Sequence, residues 1–183
     1  MNVNRTMHTE EQIKTFFFRH QHLFSKPKNA RIPHADIHAE MMKNDPDIPW
    51  TWGKCFPMAG FMFHYYDGYN GDWDLKCIRQ IPYTLGGIDA ITSHWFTENK
   101  VDGRIIDLSV DQFEGILDIV SLYPTGRRSN IGFPHHYVDG KKIKVFGTAP
   151  SKQVLGFYRI FRVELGIVPT LEYHLNILDG KPL

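Results

Sequence analysis

Residues 53–65 read Gly53-Lys54-Cys55-Phe56-Pro57-Met58-Ala59-Gly60-Phe61-Met62-Phe63-His64-Tyr65, and the reading of this stretch decides the fold. Proline has no backbone N–H and is tolerated in a helix only in its first turn. A helix containing Pro57 therefore has Cys55 at or just before its N-terminus. Phe56, Met58, Ala59, Phe61, Met62 and Phe63 leave almost no polar face, so the helix is buried, against a sheet. Asp67-Gly68 is its expected stop, with the glycine in the left-handed cap.

Three strand patterns follow, over about 74–81, 91–98 and 104–108. Ser109 to Gln112 reads as a turn or helix start, and the acidic stretch 67–74 as a turn, because it lacks calcium-loop spacing. Upstream, Thr9-Glu10-Glu11-Gln12 is a capping box. It opens a helix to about Phe24 with Ile13, Phe16, Phe17 and His20 on one face. A second helix is expected from Pro33 to about Asn44, before the break at Asp45-Pro46-Asp47-Ile48-Pro49. Downstream, 137–145 reads as a hairpin around Asp139-Gly140. Pro150-Ser151 opens a helix to about Glu164 with Val154, Leu155, Tyr158 and Phe161 or Arg162 inward. The last 17 residues look irregular or strand-like. The expected fold class is α+β in a single domain: N-terminal helices in 1–49, the Cys55 helix and two following strands in 50–113, and a hairpin, closing helix and tail in 114–183.

Composition narrows the function. The chain has 183 residues, of which 42% are hydrophobic and 22% charged, as in an ordinary globular domain. Its formal net charge of +1 gives no long-range field for nucleic acid. Arg127-Arg128 and Lys141-Lys142-Ile143-Lys144 read as solvated surface. No stretch reaches a membrane span of about 20 apolar residues, and the N-terminus lacks the apolar core of a secretory signal. Two cysteines make no disulfide framework, which fits a reducing, cytoplasmic setting.

A nucleophilic thiolate needs a base, and the base needs a group to orient it. Cys55, His94 in Ile91-Thr92-Ser93-His94-Trp95-Phe96-Thr97-Glu98, and Asp107 in Arg104-Ile105-Ile106-Asp107-Leu108-Ser109 supply such a set. Unpaired N–H groups and the helix dipole favour thiolate at a helix start, and Lys54 adds positive charge. If the His94 and Asp107 strands form a hairpin centred in Asn99-Lys100-Val101-Asp102, paired positions sum to 201 and His94 stands opposite Asp107. Their Cβ atoms are then about 5 Å apart. A turn centred on Asp102-Gly103 instead pairs Asp107 with Glu98.

Other residues compete. Cys77 reads as a buried apolar residue. His64 lies nine residues after Cys55 and falls on the opposite side of the helix. His34 and His38 stand four apart, but no third ligand lies at motif spacing, so no metal or cofactor is expected. His135 and His136 have no assigned role. Trp50, Trp52, Trp73 and Trp95, in a chain 14% aromatic, line a peptide groove or fill the core. An interaction module without catalysis is the second reading.

The chain resembles the papain-like and transglutaminase-like superfamily, including the NlpC-type cell-wall peptidases. Gly53-x-Cys55-Phe56 opening a buried helix is similar to the nucleophile motif of that superfamily. Ser93-His94-Trp95 and Asp102-Gly103-x-Ile105-Ile106-Asp107-Leu108 are similar to its histidine and aspartate strands. Residues 50–113 carry the resemblance, which extends to small bacterial and phage proteins of this fold. It implies a cysteine peptidase or amidase with Cys55, His94 and Asp107 as its triad, acting on a protein or peptide. Transglutaminase or glutamine deamidase activity is the alternative on the same triad. Papain carries a glutamine six residues before its cysteine, where this chain has Pro49. Trp50, Trp52, Gly53 and Trp95 are the oxyanion and substrate-binding candidates. Oligomeric state is not legible.

Overall fold

The computed structural model describes residues 7–24, 50–51, 53–68, 71–85, 88–113, 144–146 and 149–181. The first helix, α1 (Glu10–Arg19), begins where the capping box places it. Thr9 accepts from Gln12 N–H, and Gln12 accepts from Thr9 N–H in return. Ile13, Phe16 and Phe17 are fully buried along its inner face. The α-helix ends at Arg19 and tightens into a 3-10 turn at Gln21–Phe24, rather than running on to Phe24. His20 turns outward to Glu164 at 2.8 Å. The expected helix over 33–44 lies outside the described residues.

The second helix, α2 (Cys55–Tyr65), starts on Cys55, with Pro57 at its third position. The missing proline N–H there has no acceptor in the preceding turn to lose. Every residue from Pro57 to Tyr65 is buried. The stop differs from expectation. Asp67, not Gly68, takes the left-handed conformation, with φ 54°. Asp67 N–H bonds to the His64 carbonyl and Gly68 N–H to the Phe63 carbonyl, which is the Schellman pattern. Glycine is needed one place later for space: a Cβ on Gly68 would lie 2.1 Å from the Phe63 ring.

Among the described residues the sheet has four antiparallel strands in the order β3-β2-β1-β4: β1 (Trp73–Leu85), β2 (Ile88–Asn99), β3 (Ile105–Ile106) and β4 (Lys144–Phe146). β1 and β2 run longer than their sequence patterns because they pair as one long hairpin, with an irregularity between Ile78 and Ile81. Alternate positions on both faces are buried, Leu75 and Cys77 on one and Ile78 and Phe96 on the other. Most of the expected hairpin over 137–145 lies outside the described residues.

The β2–β3 register is a correction. Thr97 pairs with Ile106 and Glu98 with Ile105, so paired positions sum to 203, between the two registers expected. Asn99 and Arg104 close the loop. The Asn99 side chain accepts from Val101 and Asp102 N–H, and Gly103 takes φ 72°. The loop's hydrogen-bonding side chain and its one left-handed glycine thus fix where pairing begins.

Two helices close the core. Ser151 caps α3 (Lys152–Glu164), and Val154, Leu155, Tyr158 and Phe161 are buried as the spacing predicts, with Phe157 buried beside them. The tail is a further correction: Pro169–Leu178 is a helix, α4, with proline at its first position and Leu171 and Leu175 inward. Leucines four apart share one helix face, and Pro169 has the φ a helix start wants. Tyr158 and Arg162 both bond the Glu172 carboxylate, tying α3 to α4. α1, α2, α3 and α4 share one core with Trp73 and Ile106 of the sheet. Among the described residues no helix is long and apolar enough to cross a membrane.

Candidate active site

Cys55 is delivered by a short turn. Lys54 N–H bonds to the Thr51 carbonyl at 3.0 Å, and Gly53 takes φ 70°, a conformation glycine adopts without strain. Helix geometry leaves the N–H groups of Cys55 and Phe56 without intrahelical acceptors. Cys55 is 6% exposed, and its thiol donates to the Ser93 carbonyl at 3.8 Å. Strand β2 holds α2 from the side, since Thr97 Oγ donates to the Ala59 carbonyl at 3.0 Å. One strand therefore carries both the helix anchor, Thr97, and the imidazole, His94.

His94 pairs with Ile78, the last regular pair before the β-bulge. Bulges bend a strand and re-aim its side chains. The imidazole is fully buried, and its Nε2–H donates to Asp107 Oδ2 at 2.5 Å. The Cys55 side chain also acts on the ring and favours its charged form. In the observed register Asp107 is a diagonal neighbour of His94 rather than its direct partner. Diagonal neighbours keep the same face and stay within reach of long side chains.

The electrostatics follow from this packing. Burial alone pushes the His94 imidazole down. The charge and hydrogen bond of Asp107, and then Cys55, outweigh it and hold His94 up at about 9. The charged form of the ring is therefore the favoured one, between a carboxylate and a sulfur. Asp107 is fully supplied with donors: Oδ2 takes His94, while Oδ1 takes the N–H and the hydroxyl of Ser109, each at 3.0 Å. Ser109 is the residue that sequence reading missed as part of the site. Its signal was the Asp-x-Ser spacing, in which a serine two residues on can satisfy the aspartate.

The remaining candidates divide. Trp50 packs edge-on against Phe18 at 5.4 Å and against the core. Trp95 packs edge-on against Phe56 at 4.8 Å and onto Ala59, Phe63 and Leu75. Phe56, next to the thiol, is 39% exposed. Trp73 is core, stacked on Tyr66. Trp52, His34, His38, His135 and His136 lie outside the described residues. Lys54 folds back to donate to the Trp50 carbonyl and lies over the Phe24 and Trp50 rings. Burial lowers its ammonium pKa. Cys77 is fully buried in the sheet, as expected of a structural cysteine. His64 is buried beside Phe63 and His174.

No family model, curated protein or solved structure matches the chain. The site is accordingly read from its own geometry: a thiol at a helix start, an imidazole whose charged form that thiol and a carboxylate favour, and the carboxylate bonded to the imidazole.

Proposed function

We propose that the protein is a cysteine hydrolase of amide or isopeptide bonds, of the papain-like and transglutaminase-like kind. The observation that carries this reading is a buried imidazole, His94, bonded to Asp107 at 2.5 Å and acted on by the Cys55 side chain, with Cys55 at a helix N-terminus. In the reaction, the Cys55 thiolate adds to the substrate carbonyl carbon. The resulting oxyanion lies against the helix-start N–H groups, where backbone donors and the helix dipole oppose its charge. His94 gives its proton to the leaving amine as the C–N bond breaks, and a thioester remains. Neutral His94 then takes a proton from water, which adds to the thioester, and the acid leaves as the thiolate–imidazolium pair re-forms. Asp107 keeps the imidazole oriented through both steps and stays ionised. An amine in place of water makes the same cycle a transglutamination, and a glutamine side chain as substrate makes it a deamidation.

The test is alkylation of Cys55 by iodoacetamide at neutral pH in a Cys77→Ala background. Removing His94 by His94→Ala is expected to slow the reaction at least about tenfold, because the charge partner of the thiolate is lost. Equal rates with and without the imidazole refute the reading.

A further inference from the structure

Asp107 accepts two hydrogen bonds from one residue. The Ser109 N–H and Oγ–H converge on Oδ1, each at 3.0 Å, while Oδ2 meets His94 at 2.5 Å. Ser109 is 1% exposed, and the Asp107 side chain is fully buried. We propose that Ser109 is a positioning residue, whose hydroxyl locks the Asp107 carboxylate in the plane that meets the His94 Nε2–H. The inference rests on the reading of Cys55 and His94 given above.

A backbone N–H alone tethers Oδ1 to its own turn but leaves the carboxylate able to pivot about that single bond. A second donor on the same oxygen, from a different direction, removes that freedom. The turn itself is pinned. Two residues on, Asp111 accepts from Lys14 Nζ at 3.0 Å and from Thr51 Oγ at 2.6 Å. Lys14 lies in α1, and Thr51 lies in the turn that delivers Cys55. Through residues 107–111 the plane of the carboxylate is referred to the same frame that sets the nucleophile.

A serine that merely satisfies a buried carboxylate would cost stability when removed and leave the imidazole's titration alone. A positioning serine moves that titration. The titratable neighbours acting on His94 are Asp107, from the segment after β3, and Cys55, from α2. If the carboxylate loses its alignment, its lift on the imidazole weakens while the burial penalty stays, so the His94 midpoint falls.

The experiment is a nuclear magnetic resonance titration of the His94 ring in the whole protein, for wild type, Ser109→Ala and Ser109→Thr. Iodoacetamide alkylation of Cys55 is followed in parallel. Ser109→Ala is expected to lower the midpoint by at least about half a pH unit and to slow alkylation about threefold or more at neutral pH. Ser109→Thr keeps the hydroxyl and is expected to keep the wild-type midpoint. A folded Ser109→Ala protein with an unchanged or raised midpoint overturns the proposal. Should the alanine variant fail to fold, Ser109→Cys retains size with a weaker donor, and its midpoint is expected below wild type. An unmoved midpoint there overturns the proposal equally. The two readings fail separately: alkylation that ignores His94 in the wild type defeats the enzyme reading, whereas His94-dependent alkylation with an unmoved midpoint defeats only the role of Ser109.

Discussion

The two halves of the site are organised by different means. The His94–Asp107 half is held by side chains, fully buried, with a donor for each carboxylate oxygen. The Cys55 half is held by backbone: a turn closed on Thr51, a glycine at positive φ, and a helix start whose capping residue, Lys54, offers no side-chain cap. Beside it the Phe56 ring is 39% exposed. Buried charges demand specific partners, because an unpaired one is costly. A thiol at a helix end needs only the geometry of the chain. The base half is therefore the more closely specified of the two, and the Cys55 half is the one bordered by an exposed ring.

The sharpest way to break this comparison is to remove each half in turn. Cys55→Ala is expected to lower acylation by p-nitrophenyl acetate, read as p-nitrophenol release, at least about a hundredfold without loss of stability. Asp107→Ala is expected to cost about 3–5 kcal/mol in urea unfolding, since it leaves a buried imidazole without its counter-charge. If the Cys55 variant proves the less stable of the two, the contrast between the halves is wrong.

The pH dependence sharpens the same point. The His94 midpoint is raised in the folded state, from 6.5 to about 9. Its contribution to stability is thus complete below about pH 6.5 and is lost as pH rises through about 9. Urea unfolding between pH 6.5 and 9 is expected to show that decline in wild type and to lose it in His94→Ala.

Smaller effects probe what holds the nucleophile helix. Gly68→Ala forces a Cβ to within 2.1 Å of the Phe63 ring. Thermal unfolding is expected to show a loss of about 1–3 kcal/mol. Thr97→Val removes the bond to the Ala59 carbonyl, at a cost of about 1 kcal/mol. It is also expected to slow acylation, since it loosens α2 on β2. Thr9→Ala costs a similar amount, about 1 kcal/mol, at the remote start of α1. Acylation there is expected to be unchanged, and equal slowing in both threonine variants would show that general stability governs the site.

The nucleophile helix was legible because proline, cysteine and an all-apolar run constrain one another. The His94–Asp107 contact was legible for a different reason. Shifting the closing pair of an antiparallel hairpin by one residue on each strand changes the partner but not the face. The register was misjudged, yet both side chains stayed on one side of the sheet and within reach. What the sequence hid was chemistry that depends on exact placement: Asp67 in the cap where glycine was expected, Ser109 on Asp107, and Asp111 linking Lys14 to Thr51. The tail misled because Ile167, Val168 and the closing Asp-Gly-Lys-Pro look irregular, while the leucines that make α4 amphipathic number only two on its buried face.

The apolar α2 has one more consequence, in the order in which the chain is made. Much of its covering, Val154, Leu155, Phe157, Phe161, Leu171 and Leu175, comes from helices far downstream of it in the sequence. Until those residues emerge, α2 has nothing from α3 or α4 to rest on. A nascent chain halted near residue 150 is expected to carry Cys55 without that covering.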